Sequence, residues 1–190
     1  MRRPTESAVT KFIETSRSSE FSYKAVGQSR HASSPGGYTV DHNRIVLGQG
    51  SDVFRSAQQA IRDWKMFDMP WVELFYPETP IEANEVVAIL VHHFGFYSVN
   101  AAQIVYVIDE PNRFGFAYGT LADHGETGEE RFSVEFDRET GNVVYDLYAF
   151  SRPNLTLAKI GYPLSRMLQK RFAADSKAAM QRAVSAPIDL

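Results

Sequence analysis

From Arg113 to Phe150 the chain reads RFGFAYGTLADHGETGEERFSVEFDRETGNVVYDLYAF. Three strand-length runs, Arg113–Leu121, Glu130–Asp137 and Asn142–Phe150, are rich in aromatic and β-branched residues and lack a helical period. In the second run Phe132, Val134 and Phe136 alternate with Arg131, Ser133 and Glu135, which predicts an antiparallel strand with one packed and one wet side. In the first, Phe114, Phe116 and Tyr118 share one face. Gly115, Ala117 and Gly119 share the other and leave a shallow strip that another element can approach closely. Arg138–Asn142 carries hairpin chemistry, and Leu121–Glu130 reads as a longer, glycine-containing hairpin loop.

Upstream, Glu85–Phe94 and Ala102–Glu110 are two more strand-like runs, the latter closed by the turn Asp109-Glu110-Pro111-Asn112. Trp71–Tyr76 is a further strand, stopped by Pro77. Before it, an extended segment from Tyr38 breaks at Leu47-Gly48-Gln49-Gly50. A helix follows over Val53–Met66, with Ser51 or Asp52 as N-cap and Val53, Ala57, Ala60, Ile61 and Trp64 on its packed face. Downstream of the strands, Pro163 opens a long helix to about Val184 with Leu164, Met167, Leu168, Phe172 and Ala179 on one face; at 1.5 Å per residue it spans about 30 Å. Residues 1–20 form an N-terminal extension, a short helix through Val9, Phe12 and Ile13 or a frayed end. Residues 21–190 form one α+β domain, in which Gly27–Gly37 is a loose connection and Asn154–Ile160 a short turn or helix.

Composition narrows the function classes. The 190 residues contain no Cys, which removes disulfides, thiol nucleophiles and thiolate-bound metals; 20 Lys+Arg against 23 Asp+Glu, a net charge of -3, argue against nucleic acid as a partner. No apolar run approaches the roughly 18 residues of a membrane span, and the N-terminus lacks the apolar core of a signal peptide. A cytoplasmic protein is the expectation, with no cofactor and no metal.

Strands grouped in sequence and followed by a long helix predict a curled antiparallel sheet of about six or seven strands gripping a C-terminal helix. That order resembles the helix-grip fold of the birch-allergen and lipid-transfer superfamily: strand, helical excursion, six strands, long helix. A hot-dog layer would place the long helix early. At the residue level the chain resembles the domain-of-unknown-function family nineteen-ninety of bacterial and plant proteins. The segments that carry this are Phe21-Ser22-Tyr23, Leu47-Gly48-Gln49-Gly50 with the following helix and Trp71, Arg113–Leu121, His124-x-Glu126-x-Gly128-Glu129-Glu130-x-Phe132, and Ala149-Phe150-Ser151-Arg152-Pro153. Ile104 departs from the pattern, where a basic residue is expected. This resemblance brings no activity with it.

Candidate chemistry follows from the residue types left. His124 with Glu126, Glu129 and Glu130 in the loop after Leu121 could meet a cation or pair as acid and base, or simply hold the turn. His92 and His93 are adjacent on a strand and so face opposite sides; one of them points inward. The strand aromatics from Phe94 to Phe150, Tyr106, Tyr118 and Tyr148 among them, either fill the interior or line a cavity together with Trp64, the tyrosine hydroxyls orienting a ligand. Arg113 and Arg152 stand at strand ends, where either could clamp an anion, lie on the surface, or bridge Glu126 or Glu130. Gly48-Gln49-Gly50-Ser51 lacks the third Gly of a dinucleotide fingerprint and the Lys of a P-loop, and reads as a tight turn. Trp64, His92, Tyr106, Arg113, Tyr118, His124, Glu126, Glu130, Tyr148 and Arg152 are therefore the expected ligand contacts. The function expected is binding of a small apolar or amphipathic molecule between sheet and helix. An enzyme on the same scaffold (a cyclase, isomerase or hydrolase) and a protein-interaction module are the alternatives.

Overall fold

A computed structural model of the chain describes residues 3–122, 126–153 and 162–185. Seven strands, β1 (Thr39–Gln49), β2 (Val72–Phe75), β3 (Val86–His93), β4 (Phe96–Glu110), β5 (Arg113–Thr120), β6 (Glu126–Phe136) and β7 (Asn142–Pro153), form one antiparallel sheet in the order β1-β7-β6-β5-β4-β3-β2. Successive hairpins β3 to β7 build its centre. The excursion between the edge strands β1 and β2 carries helix α2 (Ser51–Arg62) and a 3-10 turn at Lys65–Phe67. The sheet curls around α2 and the C-terminal helix α3 (Tyr162–Ser185), the helix-grip arrangement expected from the element order.

The apolar periodicities explain what packs where. Ala57, Ala60 and Ile61 of α2, the 3-10 turn residues Met66 and Phe67, and Ala173 and Met180 of α3 share one core with Phe114, Phe116, Phe132, Val134, Tyr145 and Leu147 of the concave face. Helix α2 is shorter than the spacing predicts: Trp64 adopts a left-handed backbone at φ 55 and stops it, and the residue at its N-cap is Gly50, at φ 92, rather than Ser51 or Asp52. On α3, Leu168 and Phe172 pack inward as expected, but Met167 is exposed, because the stripe of α3 that meets the sheet is centred one residue further along.

The convex face is covered as well. Helix α1 (Glu6–Ser16), capped by the Thr5 hydroxyl, is the helical alternative for the N-terminal extension; it lays Val9 and Ile13 on Val86, Ala88, Ala101 and Leu121. The segment after it runs over Tyr148 and Phe150 with Tyr23 and a 3-10 turn at Gln28–His31. Gly119 is what admits it: a Cβ there would lie 2.2 Å from the Tyr23 hydroxyl oxygen. The small-residue strip of β5 thus receives its own chain's N-terminal segment at Gly119, whereas Gly115 lies close against Phe132 and Ser133 of β6. The expected turn at Asn154–Ile160 lies outside the described residues.

Candidate functional site

Leu164, Ser165, Leu168, Gln169, Phe172 and Ala173 fall at helical spacing on one stripe of α3, and with the concave sheet they enclose a cavity of about 420 Å³. That volume lies within the roughly 300–1,000 Å³ common to small-molecule sites. Its apolar body comes from Phe67, Trp71, Val72, Ile89, Val91, Leu147, Leu168 and Phe172. Trp71 also holds the helix in place: its indole N–H donates to Asp175 Oδ2 at 2.7 Å, and the Arg171 guanidinium lies 4.6 Å from its ring centroid.

Polar groups collect on β1, β6 and α3. Ser165 Oγ donates to Glu126 Oε1 at 2.7 Å, and the Gln169 amide donates to Glu126 Oε2 and, at 2.9 Å, to Ser151 Oγ. Arg166 holds Asp41 with two hydrogen bonds and reaches Gln169 Oε1 at 2.5 Å. Next to these, the Tyr118 hydroxyl donates to Glu130 Oε2 at 2.6 Å. Burial pushes the Glu130 carboxyl up to about 7; the Tyr118 hydrogen bond pulls the other way, and the negative charges of Glu126 and Asp41 add to the rise. Burial and the neighbouring Glu130 carboxylate likewise push the Tyr118 hydroxyl well above its ordinary range. Beyond β5 and β4, His93 of β3 lines the same cavity with Ser98 and Asn100. His93 Nε2 lies 3.5 Å from Ser98 Oγ, and its buried Nδ1 has no partner among the described residues.

Of the residues expected to meet a ligand, Tyr118, Glu126 and Glu130 line the cavity together. Six others lie elsewhere. Trp64 is in the core, its indole N–H donating to Thr79 O at 3.0 Å. His92 stacks on Tyr97 with 4.4 Å between centroids, on the face opposite His93. Tyr106 is turned to the convex face by a register shift between Ile104 and Tyr106, a bulge that reverses the alternation of β4. Its hydroxyl meets Ser29 Oγ at 2.6 Å. Tyr148 lies on the convex face beside Arg131 and His42. Arg113 pairs with Glu135 at 3.2 Å and Arg152 covers the Tyr38 ring at 4.6 Å, so neither bridges Glu126 or Glu130. His124 lies outside the described residues. Residues 126–130 are strand rather than loop, so Glu126 and Glu130 face the cavity side while the Glu129 carboxylate is held on the convex side. Among the described residues no group of three His, Asp or Glu could hold a metal ion.

The pattern of the family described as Domain of unknown function (DUF1990) matches residues 22–179. The chain belongs to this family. Relatives named UPF0548 protein are 35% identical in Dictyostelium discoideum, over 96% of this chain and 94% of the relative, and 35% identical in Deinococcus radiodurans, over 91% and 92%. Among solved structures, Ara h 8.0201 aligns with a TM-score of 0.54 at 12% identity, covering 79% of this chain and all of that one. The di-domain ARO/CYC BexL aligns with a TM-score of 0.53 at 14% identity, covering 80% of this chain and 52% of that one. At such identities the likeness concerns the fold, and it agrees with the sheet and helix described above.

In this member of the family, sequence reasoning missed two groups of residues. The first is the polar stripe of α3, Ser165 and Gln169, with Asp41 and Asn43 of β1. Both were marked by polar residues at the spacing of an apolar face, four apart on a helix and two apart on a strand. The second is a buried charged network on the convex face. Glu129 accepts from the Tyr23 hydroxyl at 2.7 Å, from Gly27 N at 2.7 Å, from Ser29 N at 3.0 Å and from Ser29 Oγ. Arg131 donates to Ser29 O at 2.6 Å and to Asp146 Oδ1 at 2.5 Å, and Asp146 also meets His42 Nε2 at 2.8 Å. No periodicity marks it, since its members lie up to about a hundred residues apart and face what looks like a solvated side.

Proposed function

We propose that this protein binds a small amphipathic molecule in the cavity between the concave sheet and α3. The observation that carries the reading is the composition of that cavity: an apolar body of about 420 Å³ with polar side chains gathered at Glu126, Glu130, Ser165 and Gln169. Side chains that only filled a core would leave no such volume, and burying these polar groups beside it has a desolvation cost that a ligand's own polar end would offset. The helix-grip fold has room for a ligand at this place without any change of backbone.

Native mass spectrometry of the purified protein tests the reading, with Leu168→Trp as the control that fills the cavity from α3. The expected result is a co-purified small molecule on the wild type and none on the variant. An identical spectrum for both, with no addition of small apolar probes to either, would refute it. Enzymatic use of the same cavity is the second reading. Glu130 favours it, because a carboxyl that titrates near 7 beside a tyrosine hydroxyl can both give and take a proton at neutral pH. Conversion of a bound molecule, seen as a mass change lost in Glu130→Gln, would distinguish it from plain binding.

A further inference from the structure

We infer that the ligand is an amphipathic cation, an alkyl chain or ring system carrying an ammonium group that sits against the Glu130 carboxylate. The inference rests on the binding reading above and adds the chemistry of the head group. Three observations support it. The described residues lining the cavity include Asp41, Glu126 and Glu130 but neither Lys nor Arg, and the one guanidinium beside them, Arg166, is engaged by Asp41 and the Gln169 amide oxygen, so among the described residues an anionic head such as a fatty-acid carboxylate meets no uncommitted cation. Glu130 has no cationic side chain within ion-pair distance among the described residues; its hydrogen-bond donor is the neutral Tyr118 hydroxyl. Glu126 lies four residues before it on the same face of β6, about 13 Å along the strand, with its two oxygens aligned by Ser165 and Gln169, and its negative charge reaches Glu130, so that end of the cavity favours a cation.

Titratable and charged groups face Glu130 from several elements. Glu126 stands on its own strand, Tyr118 on β5, Tyr145 on β7, and Asp41 on β1, the last held by Arg166 of α3. His93, on β3, faces the same cavity from beyond β5 and β4, and its Nδ1, which has no partner among the described residues, offers a second, uncharged contact to a ligand long enough to reach it. A carboxyl that titrates near 7 is driven to its ionised form by a bound cation, so binding releases a proton at neutral pH.

The test uses three probes of one chain length on the full protein: decylammonium, decanoate and decanol. At pH 8 decylammonium is expected to bind at least tenfold more tightly than decanoate, and Glu130→Gln to remove that preference, decylammonium affinity falling at least tenfold relative to that of decanol. Decyltrimethylammonium, whose charge is fixed, isolates the titration of the protein. Its affinity should rise about tenfold between pH 6 and pH 8 in the wild type and stay level in the variant. Glu126→Gln, expected to weaken decylammonium by a smaller factor, serves if Glu130→Gln fails to fold. Decanoate binding as tightly as decylammonium, or a cation affinity indifferent to both substitutions, would overturn the cationic head while leaving the cavity reading in place. Failure of all three probes, decanol included, would overturn both.

Discussion

Asp146→Ala is the substitution whose cost can be worked most directly from the structure. Asp146 is 1% exposed and Arg131 3% exposed, with 2.5 Å between Oδ1 and Nη2, and His42 at 2.8 Å and Arg44 at 3.3 Å meet the other carboxylate oxygen. Removing the carboxylate leaves the Arg131 guanidinium buried without a counter-ion, which in buried pairs costs about 3–5 kcal/mol. For a domain of this size, at about 2–4 °C per kcal/mol, the melting temperature should fall by roughly 6–20 °C. Removing both charges together is a different perturbation, because no uncompensated ion remains. Arg131→Met/Asp146→Leu should therefore cost less than Asp146→Ala alone, even though the Ser29 and Arg30 carbonyls lose their donor. Urea unfolding followed by the fluorescence of Trp64 and Trp71, both buried, measures the single and double variants. A cost below about 1 kcal/mol for Asp146→Ala, or a double variant as costly as the sum of its parts, would refute the claim that the Arg131–Asp146 pair is shielded from water and electrostatically coupled.

Gly119→Val places a side chain where the Tyr23 hydroxyl sits and should cost about 1–3 kcal/mol, the range for overpacking. It should also speed proteolysis within residues 21–38 relative to the rest of the chain; uniform cleavage would count against Tyr23 as the anchor. Because Glu130 titrates near 7 when folded against 4.5 when unfolded, the folded state loses stability as pH rises from 4.5 through 7. Glu130→Gln, which cannot ionise, should equal the wild type below pH 4.5 and exceed it by up to roughly 3 kcal/mol above pH 8; a difference that does not depend on pH would contradict the assignment. Asp146 has the opposite sign. Burial alone would raise its pKa, but the hydrogen bonds from His42 and Arg131 outweigh burial and lower it, so its contribution is present above about pH 4 and disappears as acid protonates it, which acid titration of wild type against Asp146→Ala will show.

The strand runs, their turns and the terminal helix were legible because each element's period and punctuation lie within about ten consecutive residues. The alternation Phe132, Val134, Phe136, carried back two and six residues, already places Glu130 and Glu126 on the packed face, so the acidic end of the cavity was half written in the chain. Tyr106 shows where such reasoning stops. A one-residue bulge in β4 reverses its face, and nothing in Ile104-Val105-Tyr106 marks the slip, which is set by pairing with β5. The aromatic residues between Phe94 and Phe150 divide between two faces for the same reason: Phe116, Tyr118 and Phe132 look into the grip, Tyr148 and Phe150 look out, and Phe94 and Phe96 stand exposed at a hairpin tip. By itself, the sequence determined a curled antiparallel sheet around a long terminal helix, since local periodicity and turn chemistry suffice for that. The tertiary structure alone decided that the outer face is buried under residues 21–38 and that Glu129, Arg131 and Asp146 are core charges. It also decided that Ser165 and Gln169 meet Glu126 across a cavity, because burial and hydrogen-bond partners depend on contacts between residues some 40 to 100 positions apart.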